Sequence, residues 1–305
     1  MHQETRDFAL LHFIVLIWGF TAVLGLLIEI PAVEMVFYRT GLAALGLWIV
    51  MKSRKTSFKV SGAQDWFNII LVGVLIGAHW ILFFLSARVS NASVCLAGMA
   101  TCSLWTSFLE PLYFKKKIRA FEVILSILAL LGMLVIFHVE TRYVLGLTLA
   151  ILSAFLAALF TVINSRLTRK YNHFSLTFHE MLFACLSITL FFPVYTRWVV
   201  DRELILIPAN WTDWLYLSIL AVVCTVYAYS HSIRLMRRLS AFAVNLAVNL
   251  EPIYGILLAL IVFGESEKMK GGFYLGTALI MLAVILYPIW NRINKNKAIE
   301  TDVLR

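Results

Sequence analysis

Ten apolar runs, each close to the ~20 residues an α-helix needs to cross a bilayer, fall into two sets of five along this 305-residue chain. They occupy residues 8–28, 34–51, 66–87, 91–110 and 119–138, then 144–165, 176–196, 211–233, 241–263 and 271–290. The two sets repeat one another. Arg88-Val-Ser-Asn-Ala-Ser-Val-Cys-Leu-Ala aligns with Arg238-Leu-Ser-Ala-Phe-Ala-Val-Asn-Leu-Ala 150 residues on, and Phe20-Thr21 aligns with Phe160-Thr161 140 residues on. Five is odd, so the second set must enter the bilayer from the opposite face. The expected fold is an all-α membrane protein of ten transmembrane helices, arranged as two inverted five-helix repeats. Such repeats let a carrier open a central site to alternate sides. The first repeat is read as residues 1–140 and the second as 141–290, followed by a basic tail at 291–305. The joint around 140–143 is short, so both repeats are expected to pack into one membrane domain.

Composition agrees with this reading. Hydrophobic residues make up 61% and charged residues 14%, against about 25% charged in soluble domains, and the mean hydropathy is +0.87. The first span has no small-residue cleavage site behind it and is long enough to cross, so it reads as a helix and not a signal peptide. The net charge of +9 is spread between the spans, which argues against a nucleic-acid surface. Cys95, Cys102, Cys185 and Cys224 all fall inside spans, with no metal-ligand spacing, so neither a metal nor a disulfide is expected. No nucleophile–base pair or phosphate loop is present, so neither an enzyme nor a cofactor is expected.

Lys and Arg number 19 in the segments on the side of the N-terminus, including Arg292, Lys295, Lys297 and Arg305 of the tail. The opposite side holds 6: Arg88, Arg142, Arg197, Arg202, Lys268 and Lys270. By the positive-inside rule both termini are cytoplasmic. The 198–210 loop mixes Asp201, Arg202 and Glu203 with an apolar stretch and reads as a segment along the outer surface.

Polar groups are costly in hydrocarbon, so each one inside a span is a candidate. Tyr227, His231, Arg234 and Arg238 fall at i, i+4, i+7 and i+11, one stripe of the eighth span. Tyr227 and His231 are read as substrate contacts there; bonding to neighbouring helices is the structural alternative. In the third span His79 faces the cavity or bonds a neighbour, and Trp80 can stack on a cationic or aromatic solute. In the ninth span Asn245 and Asn249 share a face, and Pro252 is expected to kink the helix. Glu251 joins the two asparagines only if that kink rotates it, and it is the acid placed for proton coupling. Arg39 and Glu180 occupy equivalent positions 141 residues apart. They are read either as a charge pair or as acting separately, with snorkelling of Arg39 as the alternative. Thr101 is taken as the equivalent of Glu251, Cys102 of Pro252, and His79 of Tyr229. Gly73 and Gly77 form a GxxxG, read as packing.

These residues carry a resemblance. Trp18-Gly19, Tyr38-Arg39 and the tract at 228–265, with Arg238-Leu-Ser, Glu251-Pro252 and Gly264-Glu265, resemble the drug/metabolite transporter superfamily and its EamA-type ten-helix permeases. The resemblance covers nearly the whole chain. It implies a secondary transporter of the bacterial inner membrane, exporting small metabolites or amino acids through a cavity that includes Trp18, with a small-molecule substrate and the lipid bilayer as partners. Proton coupling and a homodimer stay open. Drug efflux, sugar-phosphate exchange and a non-transporting receptor or scaffold are the alternatives. The fourth span departs from the ninth by lacking a mid-helix proline, so the two gates are expected to differ.

Overall fold

A computed structural model describes residues 2–139, 141–264 and 270–303. Position 140, Glu265, Lys268 and Arg305 lie outside them. Among the described residues the chain forms ten long helices and no strand. Uninterrupted apolar sequence dictates this, because in hydrocarbon a helix satisfies its own backbone hydrogen bonds. The helices are α1 (His2–Leu27), α2 (Ala32–Ser53), α3 (Ala63–Val89), α4 (Ala92–Phe114) and α5 (Ala120–Val139), then α6 (Val144–Leu167), α7 (His173–Val200), α8 (Trp211–Leu235), α9 (Ala241–Phe263) and α10 (Gly271–Val303). Eight are each long and apolar enough to cross; α5 and α10 carry shorter apolar stretches, Ala120–Gly132 and Gly271–Tyr287. α10 continues as helix to Val303.

The repeats interleave. α3 lies against α6 and α7, α2 against α7 and α8, α1 against α8 and α9, α4 against α6 and α9, and α5 against α10. Each of these packings joins one repeat to the other, and together they obey a pseudo-twofold. Small residues permit the closest ones. A Cβ on Gly73 would come within 2.7 Å of the Phe183 Cβ and 2.8 Å of the Glu180 carbonyl, whereas one on Gly77 would make ordinary contacts at 3.6 Å. Large apolar side chains such as Leu112, Leu190 and Ile261 are more than three-quarters exposed and form the lipid-facing surface.

Both fourth helices of the repeats are broken. α4 runs as Ala92–Met99 and Cys102–Phe114, and α9 as Ala241–Val248 and Glu251–Phe263. Pro252 stands near the start of the second half of α9, yet α4 breaks at the equivalent place without a proline. The missing proline therefore does not make the two helices differ in continuity. Both halves begin from matching caps, Asn91 accepting from the Val94 N–H at 2.8 Å and Ser240 from the Ala243 N–H at 3.1 Å.

These breaks correct the register of the repeat. Ala92 to Ala241, and Cys102 to Glu251, are each 149 residues apart. The partner of Glu251 is thus Cys102 and not Thr101, and Arg88 matches Arg237 and not Arg238. Earlier in the third helices the offset is 148, since Asp65-Trp66 and Asp213-Trp214 occupy the same first turn. A π-helical segment, Val222–Tyr229, supplies the difference. It winds one extra residue into α8, and one residue turns the rest of that helix by about 100°.

The 198–210 loop begins a few residues later than expected. α7 continues to Val200, and the loop is tied to the start of α2. Arg202 donates to Glu34 at 2.9 Å, the Ile205 N–H donates to the same carboxylate at 3.3 Å, and the Tyr38 hydroxyl donates to the Leu206 carbonyl. Arg202, outside the spans, has its pKa raised chiefly by that bond to Glu34.

Candidate functional site

A cavity of about 80 Å³ lies between the repeats, room for several waters. Its wall draws on both repeats. Trp18, Trp80, Phe83, Phe160 and Tyr229 give it aromatic faces, and Met99, Met236, Val244 and Val248 fill between them. Arg39, His79, Asn245 and Glu251 are its strongly polar members, with Thr21, Thr161, Cys102 and Ser232 beside them.

The π-segment of α8 builds one side of this site. The Thr225 hydroxyl donates to the Leu220 carbonyl, five residues back, at 2.8 Å and accepts from Arg39 Nε at 3.1 Å. The Cys224 carbonyl takes the Trp18 indole N–H at 3.0 Å. Arg39 is 2% exposed, so it does not snorkel. Its guanidinium carbon lies 3.7 Å from the centre of the Trp80 ring, a desolvated cation–π contact worth about 2 kcal/mol. His79 is held by α6: Nδ1 lies 2.7 Å from the Ser153 hydroxyl, which itself contacts the His79 carbonyl at 2.8 Å.

The break in α9 turns Glu251 onto the cavity alongside Asn245, whose Nδ2 donates to Thr106 at 2.8 Å. Thr21 stands next to the carboxyl. Asn249 goes the other way, donating to Ser103 of α4 at 2.7 Å. Arg39 and Glu251 influence each other electrostatically without an ion pair among the described residues. Arg39 and Glu180 do not pair either. At the equivalent positions the first repeat stacks Arg39 on Trp80, and the second bonds Glu180 to Tyr229.

Of the residues singled out in the sequence, Trp18, Arg39, His79, Trp80, Asn245 and Glu251 meet at the cavity. Thr101 does not: its hydroxyl donates to the Gly98 carbonyl at the break, and its neighbour Cys102 faces inward instead. Tyr227 and His231 also lie elsewhere. Tyr227 is 38% exposed and packs on Phe13 and His231, and His231 packs on His173 and Phe174. The extra π residue is the cause. It brings Thr225, Tyr229, Ser232 and Met236 to the inner face and turns the predicted stripe away. Arg238 of that stripe pairs with Asp7 at 2.5 Å. The hidden signal was the Asp-Trp pair at offset 148, which conflicts with the later register.

Each end of the molecule is closed by a matching device. At one end Asp213 accepts from the Glu29 N–H at 3.3 Å, and Arg88 donates to the carbonyls of Gly25 at 3.1 Å and Ile28 at 2.8 Å. At the other, Asp65 accepts from Lys170 at 2.9 Å and from the Tyr171 hydroxyl at 2.7 Å, and Arg237 donates to the carbonyls of Thr168 and Tyr171 at 2.9 and 2.8 Å. Burial, together with its bond to Asp65, pushes the Tyr171 phenol above the ordinary tyrosine range. Among the described residues no three of His, Cys, Asp or Glu converge to hold a metal ion.

An inverted pair of five-helix repeats around a polar–aromatic cavity has the architecture of a membrane carrier. The profile of the EamA-like transporter family matches residues 8–138 and again 144–287, and the chain belongs to that family, a branch of the drug/metabolite transporter superfamily. It is therefore a membrane transporter of this type. A crystal structure of a protein 15% identical covers 92% of this chain and 96% of its own, with a TM-score of 0.68; it shares the fold. No curated protein matches the chain.

Proposed function

We propose that this chain is a secondary transporter of the bacterial inner membrane, with both termini cytoplasmic, exporting small metabolites or amino acids by alternating access. One observation carries the reading: a cavity shared by both repeats presents a guanidinium and a carboxyl, Arg39 and Glu251, and lies between two symmetry-related closures. A solute with one acidic and one basic group fits those charges, and its apolar part fits the ring-lined wall. The 19-to-6 distribution of Lys and Arg supports the orientation. Drug efflux is the second reading, favoured by the five aromatic rings of the wall. Sugar-phosphate exchange is disfavoured because the cavity offers one Arg and no Lys.

The test is flux in proteoliposomes across a panel of amino acids, small metabolites and aromatic cations, with and without an imposed pH gradient, for wild type and Glu251→Gln. Accumulation of an amino acid or metabolite by wild type, with loss of gradient dependence in the variant, is the expected result. Transport of aromatic cations alone selects efflux. Absence of flux for every solute removes the carrier reading.

A further inference from the structure

Behind the cavity wall lies a carboxyl that the transport site itself does not use. Glu180 on α7 is 0% exposed, as is Asn164 on α6. The Tyr229 hydroxyl donates to Glu180 Oε2 at 3.1 Å, and Asn164 Nδ2 donates to that hydroxyl at 3.1 Å. Glu180 Oε1 and Asn164 Oδ1 are both buried and without a hydrogen-bond partner, although the Asn164 side chain is within reach of the carboxyl. One turn earlier on α7, the buried Thr177 hydroxyl is unpartnered as well.

Among the described residues no counter-charge reaches the carboxyl. On α2, Arg39 is committed to Trp80 and Thr225. On α3, His79 is committed to Ser153, and the helix meets Glu180 with Gly73. On α7 itself, His179 turns to the Ser175 carbonyl and to Trp66, and Cys185 faces Thr40 and Thr189. On α8 the facing group is Tyr229, a neutral donor. An ionised carboxylate here has no cation and one oxygen with no donor, a heavily penalised state. A proton on Oε1 removes the charge and gives that buried oxygen a hydrogen to donate.

We infer that Glu180 is a proton-binding site of the transport cycle, linked to the cavity through Tyr229. The proton comes from water, an O–H bond forms at Oε1, and on release the proton returns to water. Its release leaves a carboxylate that pulls harder on the Tyr229 hydroxyl, and the ring of Tyr229 is part of the cavity wall beside Trp80. Occupancy of a site outside the cavity thereby alters the surface that the solute touches.

The inference rests on the transporter reading, but its test needs no solute, so the two can fail separately. The full-length protein in lipid is titrated from acidic to alkaline pH in sodium-free buffer, with infrared difference spectra recorded in the protonated-carboxyl region. The expected result is a pH-dependent band that persists in Glu251→Gln, disappears in Glu180→Gln and shifts in Tyr229→Phe, which retains the carboxyl if Glu180→Gln proves unstable. A band unchanged in Glu180→Gln or, where that variant cannot be prepared, unshifted in Tyr229→Phe overturns the inference. Loss of the wild-type band on adding sodium at constant pH assigns the site to a metal cation and overturns it too.

Discussion

Arg39 is fixed by two neighbours of different kinds, the Trp80 ring beneath it and the Thr225 hydroxyl at its edge. A lysine keeps the charge but loses the planar stack and the fork of donors. Arg39→Lys is expected to raise the KM for a carboxylate-bearing solute about tenfold, from a loss of about 1.4 kcal/mol, as measured by proteoliposome flux. The contrast within α8 is equally testable. Tyr227→Phe and His231→Ala are expected to leave flux within about twofold, since changes away from the cavity remove no binding contact. Tyr229→Ala should lose most of it. Single residues were legible where chemistry alone marked them, since a buried Arg, Glu or His is too costly to be idle. Thr225 was not, because it is ordinary in a membrane helix until the backbone places it, and Cys102 and Tyr229 were marked only as places where the repeats differ.

The two broken helices and the π-segment are where the sequence pattern ceased to specify orientation. A proline advertises the break in α9, but α4 breaks in the same place with Ala100 and Thr101, residues common within helices. The π-segment is quieter still, because an inserted residue leaves hydropathy unchanged while rotating everything after it. Deleting Val223 should restore a regular turn, move Thr225 off Arg39 and abolish transport, while the protein still inserts and runs as a single species by size exclusion in detergent. Gly73 gives a stability counterpart. Gly73→Leu forces α3 away from α7 and is expected to cost about 1–3 kcal/mol, read as a lower unfolding temperature in detergent. Gly77→Ala, with 3.6 Å to its neighbours, should be close to neutral. Element number, span and inverted order were all legible, because bilayer thickness and parity enforce them.

For the whole molecule, the paired closures matter most. Asp213 with Arg88, and Asp65 with Arg237, hold the chain after α1 and α6 at opposite ends, each with one aspartate and one arginine. Weakening one should bias the protein toward opening on that side. With the native cysteines replaced, a reporter introduced by Met99→Cys and the proposed orientation, Arg88→Gln should speed labelling from the outside. Arg237→Gln should speed it from the cytoplasm. Equal effects on both sides would show that the closures do not act as gates. The presence of Arg39 and Glu251 in one cavity has an electrical meaning as well. Moving one uncompensated charge through the membrane potential involves about 2.3 kcal/mol per 100 mV. When both groups are ionised and Glu180 holds its proton, the site has no net charge to move, so that form of the empty carrier returns almost without regard to voltage. Currents recorded during transport of a neutral solute then count the protons that travel with it.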